Sequence, residues 1–97
     1  MVEVQIMGFK IRRIPNSDDT PIRETFDKAR YVTRGVAEAI GVDLPDMLME
    51  FLRREAVEKK GVDYLQQFMI TDEKGTETKI WIIDDGGVVT ALLPEEY

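Results

Sequence analysis

Two adjacent carboxylates, Asp84 and Asp85, are the residues of this sequence whose type and spacing come nearest to acid–base or metal chemistry. Neighbouring acids perturb each other's ionisation, and oxygen donors suit hard cations. Both precede Gly86-Gly87, however, and Asp before Gly is favoured in tight turns for backbone reasons alone, so a hairpin turn is the expected role. Asn16-Ser17-Asp18-Asp19-Thr20 also offers oxygen ligands but lacks the spaced acids, central Gly and closing Glu of a calcium loop. No metal or other cofactor is expected. The sequence has no His and no Cys, which removes imidazole bases, thiolate nucleophiles, Cys/His zinc sites and disulfides. Ser17 and the threonines therefore have no imidazole to activate them, and no glycine pattern of a phosphate-binding loop opens a helix. An enzyme is not expected.

Recognition chemistry is better represented. Lys28, Arg30 and Arg34 form a short basic run around Tyr31, and Arg forks bind carboxylates or phosphates while an aromatic anchors an interface. Alternation on a strand would place Arg30 and Arg34 on the solvent face and Tyr31 in the core. Trp81 alternates with Ile80 and Ile82 and is a second candidate anchor, although Ile83 on its own face argues for cover there. With Asp84 and Asp85, these residues make up the candidate partner-binding set.

Formal charge is -6 in 97 residues, which argues against a protein devoted to gripping phosphate backbones. Residues 1–34 nevertheless carry seven basic side chains against five acidic, and residues 35–97 carry six against fourteen. That asymmetry suits encounter with a charged partner. The competing expectation is a nucleic-acid-binding accessory domain using Lys10, Arg12, Arg13, Lys28, Arg30 and Arg34 as a local basic strip.

The elements that must position these groups follow from periodicity. Val2, Val4 and Ile6 alternate with polar residues, and Phe9 and Ile11 resume the alternation on the other parity, so Gly8 marks either a bulge in one strand or a Met7-Gly8 hairpin turn. Residues 15–21, bounded by two prolines, read as a loop. Residues 22–41 admit two readings: one helical stripe of Ile22, Phe26, Ala29, Val36 and Ile40 stopped by Gly41, or, the favoured one, a helical turn over 22–28, a strand over 30–34 and a break at Gly35. Asp43 is the expected N-cap of an amphipathic helix with Pro45 in its first turn, apolar residues at Leu44, Met47, Leu48, Phe51, Leu52 and Ala56, and a stop at Lys59-Lys60-Gly61. Strands over 64–70, 79–83 and 88–93, joined by Asp72–Gly75 and Asp84–Gly87 turns, form a meander, followed by an exposed acidic tail.

Arg30-Tyr31-Val32-Thr33-Arg34-Gly35-Val36, a proline-started apolar helix and Asp63-Tyr64-Leu65-Gln66-Gln67-Phe68 together resemble a small bacterial family, domain of unknown function 960. The resemblance covers about Phe26 to Ile83 and implies a compact α+β domain from low-GC Gram-positive bacteria and their mobile elements. It supplies no active-site residues. The strands before Pro21 and over 88–93 depart from it.

The expected fold is therefore one α+β domain spanning 1–97, an antiparallel sheet of four to six short strands packed on one main amphipathic helix. Its core is expected to include Ile6, Phe9, Ile11, Tyr31, Leu48, Phe51, Leu52, Leu65, Phe68, Ile70, Ile82 and Val89. No signal peptide or membrane-spanning run is evident, so a cytoplasmic location is expected. The expected function is a non-catalytic protein-binding module, an inhibitor or adaptor aimed at a nucleic-acid-handling protein such as a defence nuclease. A homodimer through the exposed strands 2–6 and 88–93 is expected beside it.

Overall fold

The computed structural model describes residues 3–15 and 22–97. The Pro15–Pro21 loop expectation thus falls, beyond Pro15, outside the described residues. The chain runs β1 (Glu3–Ile6), β2 (Phe9–Ile14), β3 (Arg23–Glu24), β4 (Ala29–Val32), α1 (Arg34–Ile40), α2 (Asp43–Lys59), β5 (Val62–Asp63), β6 (Leu65–Thr71), β7 (Glu77–Asp84) and β8 (Val88–Leu92), then a 3-10 turn at Pro94–Glu96. Six strands form one sheet in the order β1-β2-β6-β7-β8-β4, and β3 pairs with β5 in a small second sheet. The fold is α+β with α2 packed on the sheet, as the periodicity requires.

Met7 and Gly8 both take positive φ, 56° and 84°, so the chain reverses in a two-residue hairpin and Ile6 pairs with Phe9. This settles the bulge-or-hairpin alternative. The β6-β7-β8 meander is antiparallel, and alternation drives Phe68, Ile70, Ile80, Ile82, Val89 and Ala91 onto one face beneath the helix. From α2, Leu44, Leu48, Met49, Leu52 and Ala56 meet them. Val42, not Asp43, occupies the N-cap of α2 and makes no side-chain cap bond, while Asp43 and Asp46 sit in the first turn where the helix dipole favours acids. Lys60 closes the helix in the left-handed conformation.

Residues 22–41 differ most from expectation. No helical turn precedes the strand: Arg23–Glu24 is extended and pairs with Asp63 and Val62. The strand stops at Val32 because the Thr33 hydroxyl accepts the Val36 N–H and starts α1, putting Arg34 and Gly35 in a helix. Gly35 serves close approach rather than a break, since a Cβ there would lie 2.8 Å from Leu93 Cδ1. In β4 the faces are reversed. Tyr31 is 58% exposed, while Arg30 points to the helix side and reaches α2 carboxylates. Phe51 is also outside the core at 48% exposed, and Ile6, Phe9 and Leu65 are only partly buried.

One pairing lies beyond any local pattern: β4 runs parallel to β8, making the sheet mixed, with Ala29 opposite Val88 and Val32 opposite Ala91. Strand 88–92 is consequently interior, flanked by β7 and β4, and not free to pair with another chain. Asp84 explains the parallel course. It is the last residue of β7 rather than a turn residue, and its side chain is wholly buried. Oδ2 accepts the Phe26 N–H at 2.9 Å and the Lys28 ammonium at 2.7 Å, and Oδ1 accepts the Gly86 N–H at 2.8 Å. Its own N–H donates to the Tyr64 carbonyl at 3.0 Å. Phe26, fully buried, holds φ at 55° to aim that N–H, a conformation a bulky side chain adopts only when its surroundings over-determine it.

Asp84→Ala should lower unfolding free energy by about 3–5 kcal/mol, because Lys28 and the Phe26 N–H are left without their buried acceptor. Urea denaturation at neutral pH measures this, and a loss within the range of an ordinary surface substitution would contradict the role assigned to Asp84.

Candidate functional site

The helix α2 covers the middle of the sheet, burying Ile11 of β2, and leaves Val4 of β1 half exposed on the same face. Between the helix and these two strands runs an apolar groove of about 1120 Å³. Val4, Ile6 and Ile11 line its strand side, and Met47, Leu48 and Phe51 line its helix side. Helical spacing places Met47, Phe51 and Arg54 in one row at i, i+4 and i+7, beside the buried stripe. Val4 and Met47 are each 45% exposed and Phe51 48%, so the groove brings three exposed apolar side chains onto one surface. Single exposed apolar residues are ordinary, but a contiguous apolar patch with a polar rim marks an interaction site.

The rim is built from ion pairs. Arg13, continuing the core-side face of β2 past Ile11, donates two bonds of 2.7 Å to the Glu55 carboxylate and one of 2.6 Å to Gln66 Oε1, with its guanidinium 5.7 Å from the centre of the Phe51 ring. This bidentate fork ties β2 to α2 and fixes the width of the groove. The Arg13 hydrogen bonds hold the Glu55 carboxyl below its ordinary value, against the opposing effect of burial. At the opposite end Arg30 donates to Asp46 at 2.9 Å and to Glu50 at 2.7 Å. Arg53 and Arg54 bind the same Glu50 carboxylate, and these guanidiniums, Arg53 foremost, then Arg30 and Arg54, keep it well below the usual carboxylate range.

The sequence-derived candidates fall in five places. Lys28 is consumed by Asp84 and Glu24; burial works to depress its ammonium, but the two carboxylates outweigh it and raise it above its ordinary value. Arg30 is the only one of the set that lines the groove, and it does so through its α2 ion pairs. Arg34 lies on α1 with a side chain 90% exposed, in an i,i+4 pair with Glu38. Asp85 is in the turn before β8, where its carboxylate accepts the Gly87 and Val88 N–H groups, which lower its ionisation range. Trp81 is half-buried on the opposite face of the sheet, edge-to-face with Tyr97 at 5.5 Å. Its buried indole N–H has no partner among the described residues.

The six candidates therefore do not converge. Among the described residues no group of three or more carboxylates is arranged to hold a metal ion, and no helix there is long and apolar enough to cross a membrane. The groove residues were hidden in the sequence because Met47 and Phe51 sit on the margin of a wide apolar stripe, where helical periodicity does not separate core from rim. The one available signal was the unbroken alternation of β1, whose apolar side chains need cover that no neighbouring strand provides. No protein-family model matches the chain, and no curated protein or solved structure matches it.

Because Glu55 titrates below its ordinary value of 4.5 when folded, its contribution is fully present above that value and is lost as pH falls through the folded one. Wild-type stability should therefore fall on acidification. Glu55→Gln should cost about 1–3 kcal/mol at neutral pH and flatten that fall, as read from urea midpoints across about pH 7 to 3. A variant with the wild-type pH slope would show that the Arg13 fork does not contribute.

Proposed function

We propose that this chain is a non-catalytic protein-binding module, and that the groove between β1–β2 and α2 is where it docks its partner. The observation that carries this reading is the groove itself: a concave apolar surface held open by the Arg13–Glu55 fork, with Phe51 and Met47 unsatisfied on one side and Val4 on the other. Interface hot spots are typically apolar or aromatic anchors inside a ring of polar groups, which is the arrangement here.

The acidic excess after residue 34 and the resemblance of residues 26–83 to the domain of unknown function 960 family support a narrower proposal. In it the chain is an inhibitor or adaptor, carried by a mobile element and acting in the cytoplasm on a nucleic-acid-handling protein. Direct nucleic-acid binding is less well supported, because Arg13, Lys28 and Arg30 of the basic strip are already satisfied by Glu55, Asp84, Asp46 and Glu50. Lys10 and Arg12 alternate away from that face of β2.

Affinity capture from bacterial lysate with mass spectrometry, run in parallel on wild type and Phe51→Asp, tests the reading. Phe51→Asp should leave the far-ultraviolet circular dichroism unchanged, because the ring is half exposed, and should abolish recovery of a partner that wild type retains reproducibly. Recovery of the same proteins by both, or of none by wild type, would reject the groove as the docking site. In a low-salt gel shift neither DNA nor RNA should move at tens of micromolar protein.

A further inference from the structure

The groove has one wall. α2 bounds it on one side, and on the other it ends at β1, the last strand of the sheet, with nothing beyond among the described residues. Edge strands are blunted by brevity, charge, Pro or a bulge; Glu3-Val4-Gln5-Ile6 is short and carries one acid, but it has no Lys, no Pro and no bulge. In a two-residue hairpin the pair flanking the turn, here Ile6 and Phe9, exchanges both of its main-chain bonds across the hairpin. Alternation then turns the main-chain N–H and C=O groups of Glu3 and Gln5 outward.

We infer that a second copy of this chain completes the groove by antiparallel pairing of β1 with β1 about a two-fold axis normal to the sheet. The self-complementary register sets Val4 opposite the partner's Val4 and Glu3 opposite the partner's Gln5, which brings four outward main-chain bonds together. On the groove face the existing pairing of Val4 with Ile11 then extends into an unbroken apolar row from Ile11 through both Val4 side chains to the partner's Ile11. On the other face Arg12 stands beside Glu3, and Lys10 beside Gln5. Each Glu3 carboxylate consequently lies between its own Arg12 and an uncharged amide of the partner, and no like charges face each other across the axis. A foreign strand would need that polar order by coincidence; a second copy has it by symmetry.

The axis keeps both α2 helices on one face of a twelve-stranded sheet. The two half-grooves merge into one cleft, floored by β1 and β2 of both copies and walled by Met47 and Phe51 at each side. This deepens the docking proposal and rests on it for the use of the cleft. The partner segment would lie across the two-fold axis.

Sedimentation equilibrium of the full chain, taken to high micromolar concentration, is the test. Wild type should be a dimer. Gln5→Pro removes an outward N–H that has no bond among the described residues, and should weaken dimerisation by about 30- to 100-fold through the loss of two of the four main-chain bonds. Val4→Lys, which sets two ammonium groups on the axis, should have at least that effect. Both should keep the wild-type circular dichroism, Val4 being half exposed, and if one fails to fold the other still reads the interface. Wild type sedimenting as a monomer throughout, or both folded variants remaining dimeric, would overturn the inference. A monomer whose partner capture is still lost in Phe51→Asp overturns the dimer alone. A β1 dimer whose capture ignores Phe51→Asp overturns the groove reading alone.

Discussion

A carboxylate removed from water must find replacements for every bond it gave up, and the arrangement of this protein depends on how Asp84 does so. Its partners come from three separate stretches of chain: Phe26 and Lys28 before β4, Gly86 in the turn before β8, and, through its main chain, Tyr64 before β6. The anchor fixes where β4 begins. Since Ala29 and Val88 both leave from beside Asp84, their strands start at the same end of the sheet and have to run in the same direction. A parallel edge in an otherwise antiparallel sheet is thus a consequence of one buried charge rather than of any preference in residues 29–32.

The uneven distribution of charge along the chain acquires a structural meaning in the same way. Arg13 binds Glu55, Lys28 binds Asp84, and Arg30 binds Asp46 and Glu50, so cations of the first third are matched against acids of the remainder. What looks in the sequence like one basic and one acidic face is in part a set of internal fasteners. These pairs are partly shielded and hold elements far apart in sequence, whereas Arg34–Glu38 and Lys59–Glu55 are local surface pairs of small energetic weight.

How much was legible follows from the range of each interaction. The α2 stripe, the β6-β7-β8 meander with its glycine turns and the alternation of β1 and β2 are written in spacings of two to four residues, and all of them stand. Residues 22–41 were legible only in part: the strand at β4 and the helix end at Gly41 show in local spacing, but Phe26 is set by Asp84, and Thr33 by Glu96, whose carboxylate accepts the Thr33 hydroxyl at 2.6 Å. The faces of β4 misled because an inward arginine that ends on helix carboxylates looks, in a pattern of apolar and polar letters, like a solvent residue. Of the groove, the strand side was legible as an uncovered edge. The helix side was not, since whether Phe51 is core or rim depends on how far α2 reaches across a sheet whose order no local spacing reveals.

The pairing of β4 with β8 also sets the order in which the molecule can be made. The hairpin β1–β2 and the helix α2 contain only short-range contacts and can form as soon as they are synthesised. β4 has no neighbour in the main sheet until residues 88–92 exist, so it waits through most of synthesis with its main-chain groups unpaired. Closing that loop costs as much chain entropy as the equally long β2–β6 closure, and the Asp84 anchor is in place just before it is needed. The last turn of sheet to be translated is therefore the one that commits the chain to its native topology.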